Sequence, residues 1–193
     1  MCTARAAGHM RLERASSARL GTVNLDAEAA VGLYELLRER GIRCWVMGGW
    51  GVDALVEEQT REHHDLDVLV LADDLPVLAS LFADHGFEIR HMWPAENRPI
   101  DIAGTLWPTA FVAATEAGVE LDVHVIRLVA GVAMPVCLVP WVFDEHSLEG
   151  TGVIAGRHVQ CVSARTQVAM HQGYELPDSH RRDLELLAPL VDP

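Results

Sequence analysis

The sequence predicts an α/β fold: a small mixed, twisted sheet with helices on one face, followed by a short helical C-terminal segment. Three observations predict it. Residues 45–67 read strand, glycine turn, helix, paired carboxylates, strand. Residues 24–40 carry apolar side chains at helical spacing. Residues 109–128 form two apolar runs about a glycine turn, the second alternating polar with apolar residues.

The elements follow in order. Asn24 or Asp26 caps a helix whose stripe is Ala29, Ala30, Leu33, Leu36 and Leu37, and Gly41 stops it. Ile42 to Met47 is the first strand, broken by Gly48-Gly49. A helix runs from Trp50 to about Glu57, with Asp53 in its first turn either complementing the dipole or hydrogen-bonding in a site. After a polar loop, Gln59 to His64, the apolar run Val68 to Leu71 is a strand headed by Asp65 and Asp67. Asp73 and Asp74 start a helix with Pro76 in its first turn, and Gly86 stops it. Phe87 to Met92 is a strand, and Trp93 to Trp107 reads as an irregular connection. Thr109 to Thr115 and Val119 to Leu128 make a hairpin. Val136 to Phe143 and Gly152 to Val162 read as short strands split by a polar loop holding His146. Ser163 caps a helix to about Gln172, and a last helix runs from Asp178 to about Leu187. The organisation is thus an extension at 1–22, expected to be disordered or loosely docked, a core at 23–162 and a helical segment at 163–193 packed on that core.

Composition narrows the function. At 193 residues the chain suits one domain. No apolar run reaches about 18 residues without a charge, so no membrane span is expected. A formal net charge of −13 argues against nucleic acid as a partner and suits a cationic small substrate. All 15 basic residues are Arg, which excludes a Walker-type lysine. The four cysteines are scattered, so free thiols in a cytoplasmic protein are expected.

The chemistry concentrates at 48–67. Gly48-Gly49 lets the backbone approach an anion, and the following helix start favours phosphate. Asp65 and Asp67, two apart on a strand, point to one side at about 6–7 Å. That suits divalent ions about 3.5–4 Å apart, as in two-metal phosphoryl transfer, with Mg²⁺ taking one or two carboxylates plus phosphate oxygens. Arg61 offers a planar donor fork to a triphosphate, or pairs with Glu57 or Glu58. His63 and His64 point opposite ways in an extended chain, so they do not share an ion, and His63 is expected to brace the Asp-bearing loop. On the later strand Glu120, Asp122 and His124 share one face, which alternation alone also permits as a solvated outer face.

The run Gly48, Gly49, Trp50, Asp53, Thr60, Arg61, His63, Asp65 and Asp67 resembles the Gly-Gly-Trp…Thr-Arg-x-His-x-Asp-x-Asp pattern of the lincosamide and aminoglycoside nucleotidyltransferases. These are small antibiotic-modifying enzymes of the DNA-polymerase-β type. Leu121 to His124 is similar to the family's Leu-Asp-Val-His, and the stretch from His171 through Tyr174 to Asp183 is similar to its C-terminal pattern. Nothing matches between about 88 and 118. The resemblance implies a polymerase-β-type fold and transfer of a nucleoside monophosphate, AMP from ATP or another nucleoside triphosphate, to a hydroxyl of an aminoglycoside or lincosamide. It implies Asp65, Asp67 and Asp122 as catalytic metal ligands for two Mg²⁺ ions, with Glu120 as runner-up to Asp122. Whether Asp122 holds metal or accepts the hydroxyl proton stays open. Gly48, Gly49, Trp50 and Arg61 are the expected nucleotide contacts, and Tyr174 lines the acceptor cleft or anchors two helices. A monomer or homodimer is expected. Two other readings remain: a metal-dependent phosphohydrolase, echoed by His64-Asp65, and a non-catalytic nucleotide-binding or antitoxin-like module.

Overall fold

A computed structural model describes residues 23–172 and 175–191. The extension at 1–22 and Tyr174 lie outside the described residues. The first helix, α1, spans Ala27–Glu39; Asp26 caps it by accepting from the Ala29 amide at 2.8 Å. Strand β1, Cys44–Met47, leads directly into α2, Gly48–Val56, two residues earlier than the sequence predicts. Strand β2 is Asp65–Leu71. A 3-10 turn, Ala72–Asp74, opens α3, Leu75–His85, and Asp74 is tied back to Arg43 by three hydrogen bonds of 2.9–3.1 Å.

Beyond α3 the structure departs from the sequence reading in three places. After β3, Glu88–Met92, the predicted irregular connection holds a small hairpin, β4 (Ile100–Ile102) with β5 (Thr105–Trp107). After β6, Ala110–Ala114, the long strand β7, Glu120–Val129, turns straight into β8, Val132–Pro135. Residues 136–143, predicted as a strand, are instead a loop. The predicted strand at 152–162 is a hairpin, β9 (Gly150–Ile154) with β10 (Arg157–Cys161). Helices α4, Ala164–Met170, and α5, Asp178–Val191, close the chain, and both contact α2.

The main sheet runs β3-β6-β7-β2-β1-β10-β9, with β8 paired to β7. It is mixed: β2 is parallel to β7 and antiparallel to β1, while β1 is parallel to β10. One face buries Val46, Leu66, Val68, Leu121 and Val123 against α1 and α3, supplied by Val31, Leu37, Leu75 and Leu78. The other face carries a smaller apolar cluster, Leu69, Leu71 and Ile126, roofed by Phe143, Val162 and Met170. Because strand side chains alternate, the acidic residues that head β2 and β7 fall on this second, incompletely covered face. Among the described residues no helix is long and apolar enough to cross a membrane.

Candidate active site

The parallel register of β2 and β7 builds the acidic face. Asp65 pairs with Glu120 and Asp67 with Asp122, so two carboxylate pairs lie side by side across adjacent strands. In a parallel pair directly opposed side chains project to the same side, roughly 5 Å apart. Asp122 therefore shares a face with Asp65 and Asp67, and Glu120 shares it too. Burial is the largest influence on Asp122 and pushes its carboxyl up to about 6; His124 and the Trp93 indole act against this, while Asp65 and Glu96 reinforce it.

The glycine turn touches this face. Met47 pairs with Asp67, so Gly48 follows immediately beside that carboxylate. Gly48 has φ +60°, and a β-carbon there would come to 2.1 Å from Asp67 Oδ2. A β-carbon at Gly49 would come to 2.4 Å from Arg61 Nη2 and 2.5 Å from the His63 ring. Both positions demand glycine, one for conformation and space, the other for space alone. With α2 beginning at Gly48, the amides of Gly48, Gly49 and Trp50 are among the first-turn N–H groups that no helical carbonyl satisfies.

The expected nucleotide contacts divide. Trp50 is 1% exposed, lies in the main core and stacks on His63 with ring centroids 4.4 Å apart. Its indole is packed beneath the turn, so the Trp50 backbone is the part that faces outward with Gly48 and Gly49. Arg61 sits against Gly49 but pairs with Asp183 of α5 at 3.4 Å, not with Glu57 or Glu58. Its Nε is buried without a hydrogen-bond partner among the described residues.

Beneath the turn lies a buried polar bracket. Asp53 Oδ2 meets His63 Nε2 at 2.6 Å, and its Oδ1 accepts from the Thr60 hydroxyl at 2.6 Å. The carbonyl of His63 accepts from the Leu25 amide at 2.8 Å. Asp53 thus has the hydrogen-bonding role; the helix starts too early for it to lie in the first turn. His63 braces the loop that delivers Asp65.

Several residues of the site carry no signal in the sequence. Trp93 Nε1 donates to both oxygens of Asp122, at 3.1 and 3.2 Å. Glu96 Oε2 lies 2.9 Å from His124 Nε2, and Trp141 packs on the His124 ring at 5.0 Å. Gln167 of α4 donates to the Gly48 carbonyl at 3.2 Å. Asp183, at the end of the C-terminal stretch that resembles the family pattern, also reaches the site through Arg61.

Among the described residues no group of three or more His, Cys, Asp or Glu side chains is placed to hold a metal ion. The donor set nevertheless fits Mg²⁺, which takes one or two carboxylates and leaves its other positions to phosphate oxygens and water. The His-Asp pair does not fit a helical phosphohydrolase site, because Asp65 opens a strand.

Comparison with known proteins agrees with this geometry. A curated lincosamide resistance protein of Staphylococcus haemolyticus is 25% identical over 171 residues, covering 87% of this chain and 98% of that protein. The crystal structure of the lincosamide antibiotic adenylyltransferase LnuA with lincomycin bound superposes with a TM-score of 0.69 at 24% identity, covering 87% of this chain and 99% of that one. ANT(2'')-Ia in complex with adenylyl-2''-tobramycin superposes with a TM-score of 0.64 at 20% identity, covering 86% and 88%. At these identities the two structures establish the fold. The model of the aminoglycoside-2''-adenylyltransferase family matches residues 30–187, most of the chain. The chain therefore belongs to the aminoglycoside-2''-adenylyltransferase family and is a nucleotidyltransferase.

Proposed function

We propose that the protein transfers AMP from ATP to a hydroxyl of an amine-bearing antibiotic, an aminoglycoside or a lincosamide, in a Mg²⁺-dependent reaction. The observation that carries this reading is the pairing of Asp67 with Asp122 on one open sheet face, in contact with the Gly48 turn. Asp65 and Asp67, joined by Asp122 if it does not serve as the base, would hold Mg²⁺, which supplies charge neutralisation for the triphosphate and the departing pyrophosphate. The α2 amides bind the phosphate oxygens and their dipole holds the negative charge in place. Arg61, with a buried N–H lacking a partner, adds a donor beside Gly49. Asp122, raised by burial towards neutrality, is the carboxylate best suited to take the hydroxyl proton, and Glu120 stands one pair away on the same face. The acidic face and the overall negative charge favour a cationic acceptor.

The test is an assay with α-labelled ATP, Mg²⁺ and either tobramycin or lincomycin. Labelled antibiotic with release of pyrophosphate is expected, and Asp65→Asn or Asp67→Asn abolishes it while circular dichroism stays unchanged. Release of inorganic phosphate with no labelled antibiotic would establish a phosphohydrolase instead. ATP binding with no product from either drug would leave a non-catalytic module.

A further inference from the structure

The turn from Trp93 to Asn97 joins β3 to the small β4–β5 hairpin. It is closed on itself: the Glu96 and Asn97 amides donate to the Trp93 carbonyl at 3.0 and 2.7 Å. It is also anchored at both sides. The Trp93 amide donates to the Ala110 carbonyl at 3.1 Å, and the Glu96 carbonyl accepts from the Leu138 amide at 2.6 Å. Asn97 Oδ1 accepts from the Thr109 amide at 2.8 Å. A turn held this firmly presents its side chains in fixed positions.

Two of those side chains converge on the third carboxylate. The Trp93 indole bridges both oxygens of Asp122, which fixes the carboxylate plane as well as its position. Its ring is set by an edge-on contact with His91, centroids 4.6 Å apart. Glu96 acts one step away. It holds His124 at 2.9 Å, and the other ring nitrogen of His124 lies 3.5 Å from Asp122 Oδ1. Trp141 covers the same ring. The turn thus hydrogen-bonds Asp122 directly through Trp93, and His124, whose Nδ1 makes no hydrogen bond among the described residues, faces it at ion-pair distance from its own strand.

We propose that Trp93 and Glu96 are positioning residues for the transfer reaction: the 93–97 turn fixes the orientation of the Asp122 carboxylate, Trp93 directly and Glu96 through His124. This rests on the reading that Asp122 takes part in transfer. Neither residue is assigned contact with nucleotide or acceptor. Removing the indole N–H should therefore slow the chemical step and leave nucleotide affinity alone, because misplacing a reacting group acts on the transition state.

The test combines spectroscopy with kinetics. The chain has five tryptophans, hence five indole N–H resonances in a ¹⁵N-labelled sample. Trp93→Phe identifies one of them by its loss, and that resonance should shift in Asp122→Asn while the Trp45 resonance, bonded to the Leu148 carbonyl, stays in place. Trp93→Phe should lower kcat by about ten- to a hundredfold, with KM for ATP within about twofold of wild type. In an Asp122→Asn background the same change should add little, since coupled residues do not lose activity independently. Glu96→Ala should act in the same direction, and Glu96→Gln, which keeps an acceptor for His124, should recover most of the loss. Wild-type kcat in both Trp93→Phe and Glu96→Ala overturns the proposal, as does a full multiplicative loss in the double variant. An unmoved Trp93 resonance in Asp122→Asn overturns it even if a variant proves too unstable for kinetics. Wild-type turnover in Asp122→Asn instead strikes down the role of Asp122 itself.

Discussion

Gly48 lies so close to Asp67 that a β-carbon on the glycine would reach 2.1 Å from the carboxylate oxygen. The glycine turn and the strand that carries Asp67 are therefore one packed unit. Gly48→Ala must either push Asp67 aside or force alanine into a left-handed conformation. We expect loss of transfer and a destabilisation of about 1–2 kcal/mol. Urea unfolding and the labelled-ATP assay check both; near-normal turnover would mean that the turn tolerates separation from Asp67.

Asp53 and His63 are buried, Thr60 is half-buried, and both Asp53 oxygens are engaged. Asp53→Ala leaves a ring nitrogen and a hydroxyl without their partner beneath the cradle. A loss of about 2–4 kcal/mol is expected. Denaturant unfolding measures it, and a change below the scatter of surface substitutions would show the bracket to be dispensable.

Asp122 should work against the stability of the metal-free protein. Its folded pKa, about 6, exceeds the ordinary 3.8, so between these values the folded state holds a proton that the unfolded state has released. Stability contributed by this group is therefore present below pH 4 and lost as pH rises through about 6. Asp122→Asn should unfold at higher urea than wild type at pH 7.5 in EDTA, by up to about 3 kcal/mol, with the gap closing towards pH 4. The same variant should turn over far more slowly than wild type. A variant less stable than wild type at neutral pH would contradict the burial argument.

Cys44, Cys137 and Cys161 are buried, and burial pushes each thiol up to about 12. In a Cys2→Ser background, a thiol-exchange reagent at pH 8 should find no reactive group until denaturant is added. Above pH 9 the unfolded thiols ionise while the folded ones do not, so stability falls by about 1.4 kcal/mol per pH unit for each thiol. Rapid reaction of the native protein would show one of these positions to be open.

Strand alternation puts Asp65 with Asp67 and Glu120 with Asp122, but that the two pairs share a side follows from the parallel register of β2 and β7, which alternation alone leaves open. The helices α1 and α3 were legible from their caps and stops. So was the β6–β7 hairpin, but the other three hairpins were not. Their turns are Ala103-Gly104, Ala130-Gly131 and Ala155-Gly156, each with both residues at positive φ. Such turns ordinarily announce themselves with Asn or Asp before the Gly, and alanine hides them. Residues 136–143 misled in the opposite way. Their apolarity reads as a strand, but Trp141 and Phe143 serve to roof the second sheet face. The early start of α2 escaped because two glycines are poor helix formers; contact with Asp67, Arg61 and His63 decides the matter locally. Trp93 and Glu96 act through tertiary contacts alone, which no spacing in the sequence encodes.

Asp183 comes from the last helix, yet it holds the arginine that borders the glycine turn. The guanidinium beside the turn is thus tethered by an element 122 residues further along the chain. Removing the helix that carries Asp183 should free Arg61 while the register of β2 on β7 is kept.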